Sequence, residues 1–110
     1  VTPGDPDGTG TMHLTLNQGQ GEICFDLDVS DIEAPTRAHI HDGVAGVNGP
    51  VVVFFFDLVI PNPIPVAFDG CVDGVDADLI KDIRQNPENY YINVHNDEYP
   101  AGAIRGQLSK

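Results

Sequence analysis

Alternation of apolar and polar residues is the dominant pattern along this chain. From Thr11 to Leu16, Met12, Leu14 and Leu16 fall on one face and Thr11, His13 and Thr15 on the other, the period of a half-buried strand. After Asn17-Gln18-Gly19-Gln20-Gly21, a hairpin-type loop, the alternation resumes from Glu22 to Val29. Ile23, Phe25, Leu27 and Val29 point inward; Glu22, Cys24, Asp26 and Asp28 point outward. Ser30 to Pro35 reads as a turn and Thr36 to His41 as a third strand, which places Ala38 and Ile40 on one face and His39 and His41 on the other. Gly43 to Pro50 is a glycine-punctuated loop. It leads into Val51 to Leu58, an apolar run with the character of a strand covered on both faces, or of one whose outer face meets a partner.

The second half is less regular. Pro61, Pro63 and Pro65 predict an extended segment outside any central strand. Val66 to Phe68 is a candidate short strand, with Asp69-Gly70 as a turn before Cys71. Residues 76–86 form the helix candidate: Asp76 suits an N-cap, Leu79, Ile80 and Ile83 make an apolar stripe, and Lys81 and Arg84 lie towards the C-terminal end. Pro87 ends it. Asn89 to His95 reads as a strand with Tyr90, Ile92 and Val94 on one face and Tyr91, Asn93 and His95 on the other. Ala103 to Leu108 is the last strand, with Ile104, Gly106 and Leu108 inward. Six or seven short strands with frequent turns predict an all-β fold, a compact antiparallel β-sandwich of immunoglobulin-like or superoxide-dismutase-like type with one short helix near 76–86. Residues 1–10 form an extended N-terminal arm and residues 11–110 the single sandwich domain.

Composition narrows the function. The 110 residues carry 17 acidic against 5 basic side chains, a formal net charge of −12. That excludes the basic patches of nucleic-acid binders and disfavours anionic membrane surfaces. No apolar run approaches the roughly 18 residues of a membrane-spanning helix. Val1-Thr2-Pro3 reads as the start of a processed mature chain or of a trimmed one, and the sequence does not distinguish a removed export signal from trimming. Cys24 and Cys71 stand far apart, outside any C-x-x-C motif. In an acidic, strand-rich chain they read as one disulfide and an oxidising compartment, with two buried thiols as the alternative. Cys24 on the outer face implies that its partner reaches over that face.

Three constellations carry possible chemistry. His39 and His41 share a strand face, and His95 comes from another strand; three imidazoles suit copper or zinc, with Asp42, Asp97 or His13 as a further ligand or as a hydrogen-bond acceptor behind one. The alternative is that the histidines hydrogen-bond loop backbone and hold the glycine loop in place. Carboxylates along loops and outer faces are candidate calcium ligands; Asp5 and Asp7 show a weak likeness to a calcium loop without the glutamate that would close it. The arm and the Val51–Phe56 strand could serve strand addition between copies, giving an oligomer or filament. No nucleophile motif or paired acid–base carboxylates point to an enzyme. Arg105 is expected to play a structural part by pairing with a carboxylate such as Asp42 or Asp97.

Three blocks of sequence carry a resemblance. They are His39-Ile40-His41-Asp42-Gly43 continuing through Ala45-Gly46 and Asn48-Gly49-Pro50-Val51-Val52; Tyr90-Tyr91-Ile92-Asn93-Val94-His95-Asn96; and Pro100, Gly102 and Ile104-Arg105-Gly106-Gln107-Leu108. In this order they resemble the chordin-type, or CHRD, domain family over roughly Gly8 to Leu108. The cysteines and the Gly4-Asp5-Pro6-Asp7-Gly8 opening look like its secreted, single-domain bacterial or archaeal branch. The resemblance implies a β-sandwich that is extracellular or at the cell surface. It implies no settled activity: in animal chordin such domains belong to a secreted growth-factor binder, and elsewhere they stand alone. The expectation is a secreted binding or structural module, self-assembling and metal-stabilised, or alternatively a histidine-rich copper- or zinc-binding protein of the cell envelope.

Overall fold

The computed structural model describes residues 4, 6, 8–31, 35–57 and 67–109. Its elements in chain order are β1 (Thr9–Asn17), β2 (Glu22–Ser30), β3 (Arg37–Asp42), β4 (Val51–Asp57), β5 (Ala67–Val72), α1 (Ala77–Gln85), a 3-10 turn (Pro87–Asn89), β6 (Tyr90–His95) and β7 (Ile104–Gln107). The strands form two antiparallel sheets, a three-stranded one ordered β1-β2-β5 and a four-stranded one ordered β4-β3-β6-β7. This is the expected all-β sandwich with one short helix.

Alternation decides which faces meet. Ile23, Phe25, Leu27 and Val29 of β2 are buried against Ala38 and Ile40 of β3, Val53 and Phe55 of β4, and Tyr90, Ile92 and Val94 of β6. Phe25 and Phe55 touch across the layers, with ring centroids 4.8 Å apart. Each fully buried aliphatic side chain of this set stabilises the fold by roughly 1.5–3 kcal/mol. Helix α1 adds Ile80 and Ile83 to the same core. Asp76 caps it, accepting a hydrogen bond from the Asp78 amide at 2.9 Å, and Arg84 lies in its last turn, where a cation meets the negative end of the helix dipole.

The β1–β2 hairpin pairs from Thr9↔Ser30 to Asn17↔Glu22. Its turn is closed by the Asn17 side chain, which accepts from the Gln20 amide at 3.1 Å. The turn expected at Asp69-Gly70 is not there. Both residues lie inside β5, opposite Asp26 and Phe25 of β2. The Phe25 ring packs over Gly70: a Cβ there would lie in ordinary contact, 3.4 Å from that ring. Pairing with β2 overrides the local turn preference of an Asp-Gly pair. Disulfide Cys24–Cys71 joins these strands at directly opposed positions, so the partner of Cys24 is the neighbouring strand of its own sheet. Among the described residues no segment crosses over the face to reach it. Pro61, Pro63 and Pro65, expected in an extended segment, and the calcium candidates Asp5 and Asp7 lie outside the described residues.

Strand β4 is an edge strand whose pairing with β3 slips twice, between Ala38 and His39 and between Ile40 and His41. Each slip inserts one extra β4 residue opposite β3, a β-bulge. The result splits the apolar run: Val53 and Phe55 face the core and Phe54 faces outward, 58% exposed. The bulges flank His39 and adjoin His41, so the local twist falls where the histidines project.

Candidate metal centre

Because β3 alternates, burying Ala38 and Ile40 in the core sends His39 and His41 to the outer face of the four-stranded sheet. On the neighbouring strand β6, Ile92 and Val94 go inward and Tyr91, Asn93 and His95 outward. The register sets His39 opposite Asn93 and Arg37 opposite His95, which puts His95 diagonally beside His39. The donor nitrogens of His39, His41 and His95 all lie within 4.8 Å of one another. The three residues are only 5%, 9% and 7% exposed, and His39 sits in the middle, with ring centroids 5.9 Å from His41 and 5.1 Å from His95.

Hydrogen bonds orient two of the three rings. His41 Nδ1 lies 2.8 Å from the Gly49 carbonyl oxygen and His95 Nδ1 lies 2.9 Å from that of Pro100. A carbonyl can only accept, so Nδ1–H is the donor in both, and in the neutral ring the lone pair is then on Nε2. His41 Nε2 is buried and makes no hydrogen bond. An Nδ1–H bound to a backbone carbonyl with Nε2 left to bind is the usual arrangement behind a metal-ligating histidine. With metal–nitrogen distances of about 2.0–2.1 Å, nitrogens on one ion stand roughly 3.3–4 Å apart. The trio therefore fits one ion after a small inward rotation of the rings.

Two loops wall the site. Residues 43–50 are held by β7: Arg105 Nη1 donates to Asn48 Oδ1 at 3.0 Å, and Arg105 Nη2 donates to the carbonyls of Val47 at 2.6 Å and Val44 at 3.2 Å. The guanidinium lies 3.5 Å above the Tyr91 ring, and the other face of that ring stacks on His41, at 4.7 Å and 8°. Gln107 Nε2 donates to the Gly43 carbonyl at 3.1 Å, and the Gly49 amide donates to the Tyr91 hydroxyl at 3.0 Å. On the other side, Arg37 Nη2 donates at 2.9 Å to the same Pro100 carbonyl that His95 uses. Phe54 from β4 meets His39 edge-on at 4.8 Å.

Of the sequence candidates, the structure brings together His39, His41 and His95. Asp42, Asp97 and His13 are exposed and stand outside that cluster; His13 is on the other sheet, across from Asp26. Arg105 takes loop carbonyls, an amide oxygen and an aromatic face in place of the expected carboxylate, because β7 runs directly beneath the 43–50 loop. Tyr91 and Gln107 escaped sequence reasoning. The signal that could have found them is alternation, which puts Tyr91 on the His95 face of its strand and Gln107 on the Arg105 face of β7. Glu22, Cys24 and Cys71 form a second close group, but the disulfide leaves no thiolate to ligate. Among the described residues no helix is long and apolar enough to cross a membrane.

Fold and site together define a class: a disulfide-bonded β-sandwich that presents three buried imidazoles on the outer face of one sheet, beneath two loops. The chain belongs to the CHRD domain family, whose model matches residues 1–108. That membership points to an extracellular-type module, and the disulfide is compatible with such a location. Comparison with curated proteins and with solved structures finds no match.

Proposed function

We propose that this domain is an extracellular binding module that holds one transition-metal ion, copper or zinc, on His39, His41 and His95. The observation that carries the reading is the convergence of three buried ring nitrogens within 4.8 Å, two of the rings fixed in tautomer by carbonyls of different loops. Imidazole donors select copper and zinc over calcium or magnesium, which prefer oxygen. The alternative role, histidines that only fasten loops, accounts for Nδ1 of His41 and His95. The reading is of binding rather than catalysis.

Titration with Cu(II) or Zn(II) should give one ion per chain, with His39→Ala weakening binding at least 100-fold while the circular dichroism spectrum is kept. Unchanged affinity in that variant would overturn the assignment. Calcium has narrower support, chiefly the facing carboxylates Asp26 and Asp69 on the three-stranded sheet. Assembly by strand addition draws on the edge position of β4 and the exposure of Phe54.

A further inference from the structure

Building on the metal reading above, we propose that the ion held by His39, His41 and His95 keeps an exchangeable coordination position that takes a small monoanion. All three donors rise from one side of one sheet, two from β3 and one from β6. A sheet face supplies donors from below only. An ion on these nitrogens therefore lies above the strands, with its far hemisphere turned away from them. Three protein donors leave a tetrahedral ion one short, the arrangement of sites that bind water or an outside ligand rather than of closed structural sites. Among the described residues the cluster comprises these three histidines alone.

Charge selects the class of ligand. Neutral imidazoles bring no negative charge, so a divalent ion keeps its full charge among residues that are at most 9% exposed. A charge left uncompensated where water is scarce is costly, and a monoanion cancels half of it. Two fixed positive charges flank the site: the guanidiniums of Arg37 and Arg105 are anchored to the carbonyls of the two flanking loops. The chain as a whole, at −12, repels anions at long range. Direct coordination must therefore do the binding, and inert salt, which screens that repulsion, should strengthen it. The anion donates a lone pair to the metal and displaces bound water; no oxidation state changes.

Azide is the probe. Protein loaded with one Cu(II) in chloride-free buffer is titrated with azide, following the azide-to-copper charge-transfer band and the electron paramagnetic resonance spectrum. The expected result is saturation at one azide per copper, with affinity rising as sodium perchlorate is added. If copper stays at one per chain and azide leaves both spectra unmoved, protein atoms fill the sphere; this inference then fails while the metal reading stands. An equal azide band in His39→Ala would mean that the copper sits elsewhere, which overturns both. Failure to retain copper at all overturns the metal reading and this inference with it.

Discussion

At the scale of single residues, Gly49 is the most constrained position near the site. A Cβ there would lie 1.7 Å from the Asp42 carbonyl oxygen, a backbone atom that cannot step aside. The approach is this close because the strand leaving the loop folds back on the strand entering it, with the Asp42 amide donating to the Pro50 carbonyl at 3.0 Å. The Gly49 carbonyl is also the acceptor that sets the His41 tautomer. Gly49→Ala should therefore displace that carbonyl and release the His41 ring. The expected outcome is a loss of metal affinity on the order of 10–100-fold, the usual cost of disturbing a ligand's supporting hydrogen bond, measured by competition with a chromophoric chelator. An unchanged affinity would show that the carbonyl does not position the ring. The glycines of this loop stand out in the sequence as turn residues. Why Gly49 in particular must lack a side chain depends on Asp42, seven positions earlier, and only the folded backbone shows it.

At the scale of elements, the outer face of the three-stranded sheet carries opposed carboxylates, and in one pair the two carboxyls hydrogen-bond each other. Glu22 begins β2 and Asp73 follows β5, one step beyond the Ile23↔Val72 pair. The Glu22 carboxyl is held above its ordinary pKa first by its hydrogen bond with Asp73, then by burial and by repulsion from the Asp73 charge. A group whose folded pKa is raised contributes stability in acid, and loses it as pH rises through the raised value. Glu22→Gln keeps a neutral hydrogen-bonding side chain at every pH. It should melt at a higher temperature than the parent protein at neutral pH, and the gap should close below about pH 4, the ordinary range of the unfolded carboxyl. A constant difference across that range would rule out the raised pKa of Glu22. Asp82 is shifted the opposite way: hydrogen bonds from Tyr90 and Asn86 hold its carboxyl below the usual range, which ties α1 to the start of β6.

The contrast between sequence and fold is also clearest at this scale. The period-two pattern was enough to place β1, β2, β3 and β6 to within a residue or two, because apolar residues alternate with polar or aromatic ones along each, even though β3 and β6 bury both faces. Strand β5 was not legible, since Asp69-Gly70 carries a local turn preference that pairing with β2 overrides. The bulges of β4 were invisible within a continuous apolar run, where alternation gives no phase. Helix α1 was legible from its cap, its stripe and the following proline, all local features.

For the whole molecule, disulfide Cys24–Cys71 spans 47 residues of sequence and secures β5, an edge strand, to β2. In the chain-entropy account a closed loop of this length stabilises the fold by about 4 kcal/mol. Replacing both cysteines by serine should lower the thermal midpoint by on the order of 15 °C for a domain of this size, and a dithiol reductant should reproduce the shift in the parent protein. The His39–His41–His95 cluster lies on the other sheet, so the copper or zinc stoichiometry proposed for it should survive the double substitution. If stoichiometry were lost together with stability, the two sheets would be coupled more tightly than their packing implies.

The sequence by itself determined the class of fold, the inward and outward faces of four strands, the helix and its cap, and the presence of His39 and His41 on one face, because each follows from periodicity or from short-range hydrogen bonding. It also determined family membership, through blocks that span nearly the whole chain. Tertiary structure alone decided that His95 lies beside His39, that Gly49 and Pro100 supply the carbonyls that orient two rings, and that Arg105 clamps a loop through Tyr91 instead of finding a carboxylate. Those outcomes depend on strand order and register, which join residues as much as 61 positions apart and leave no mark on any local pattern.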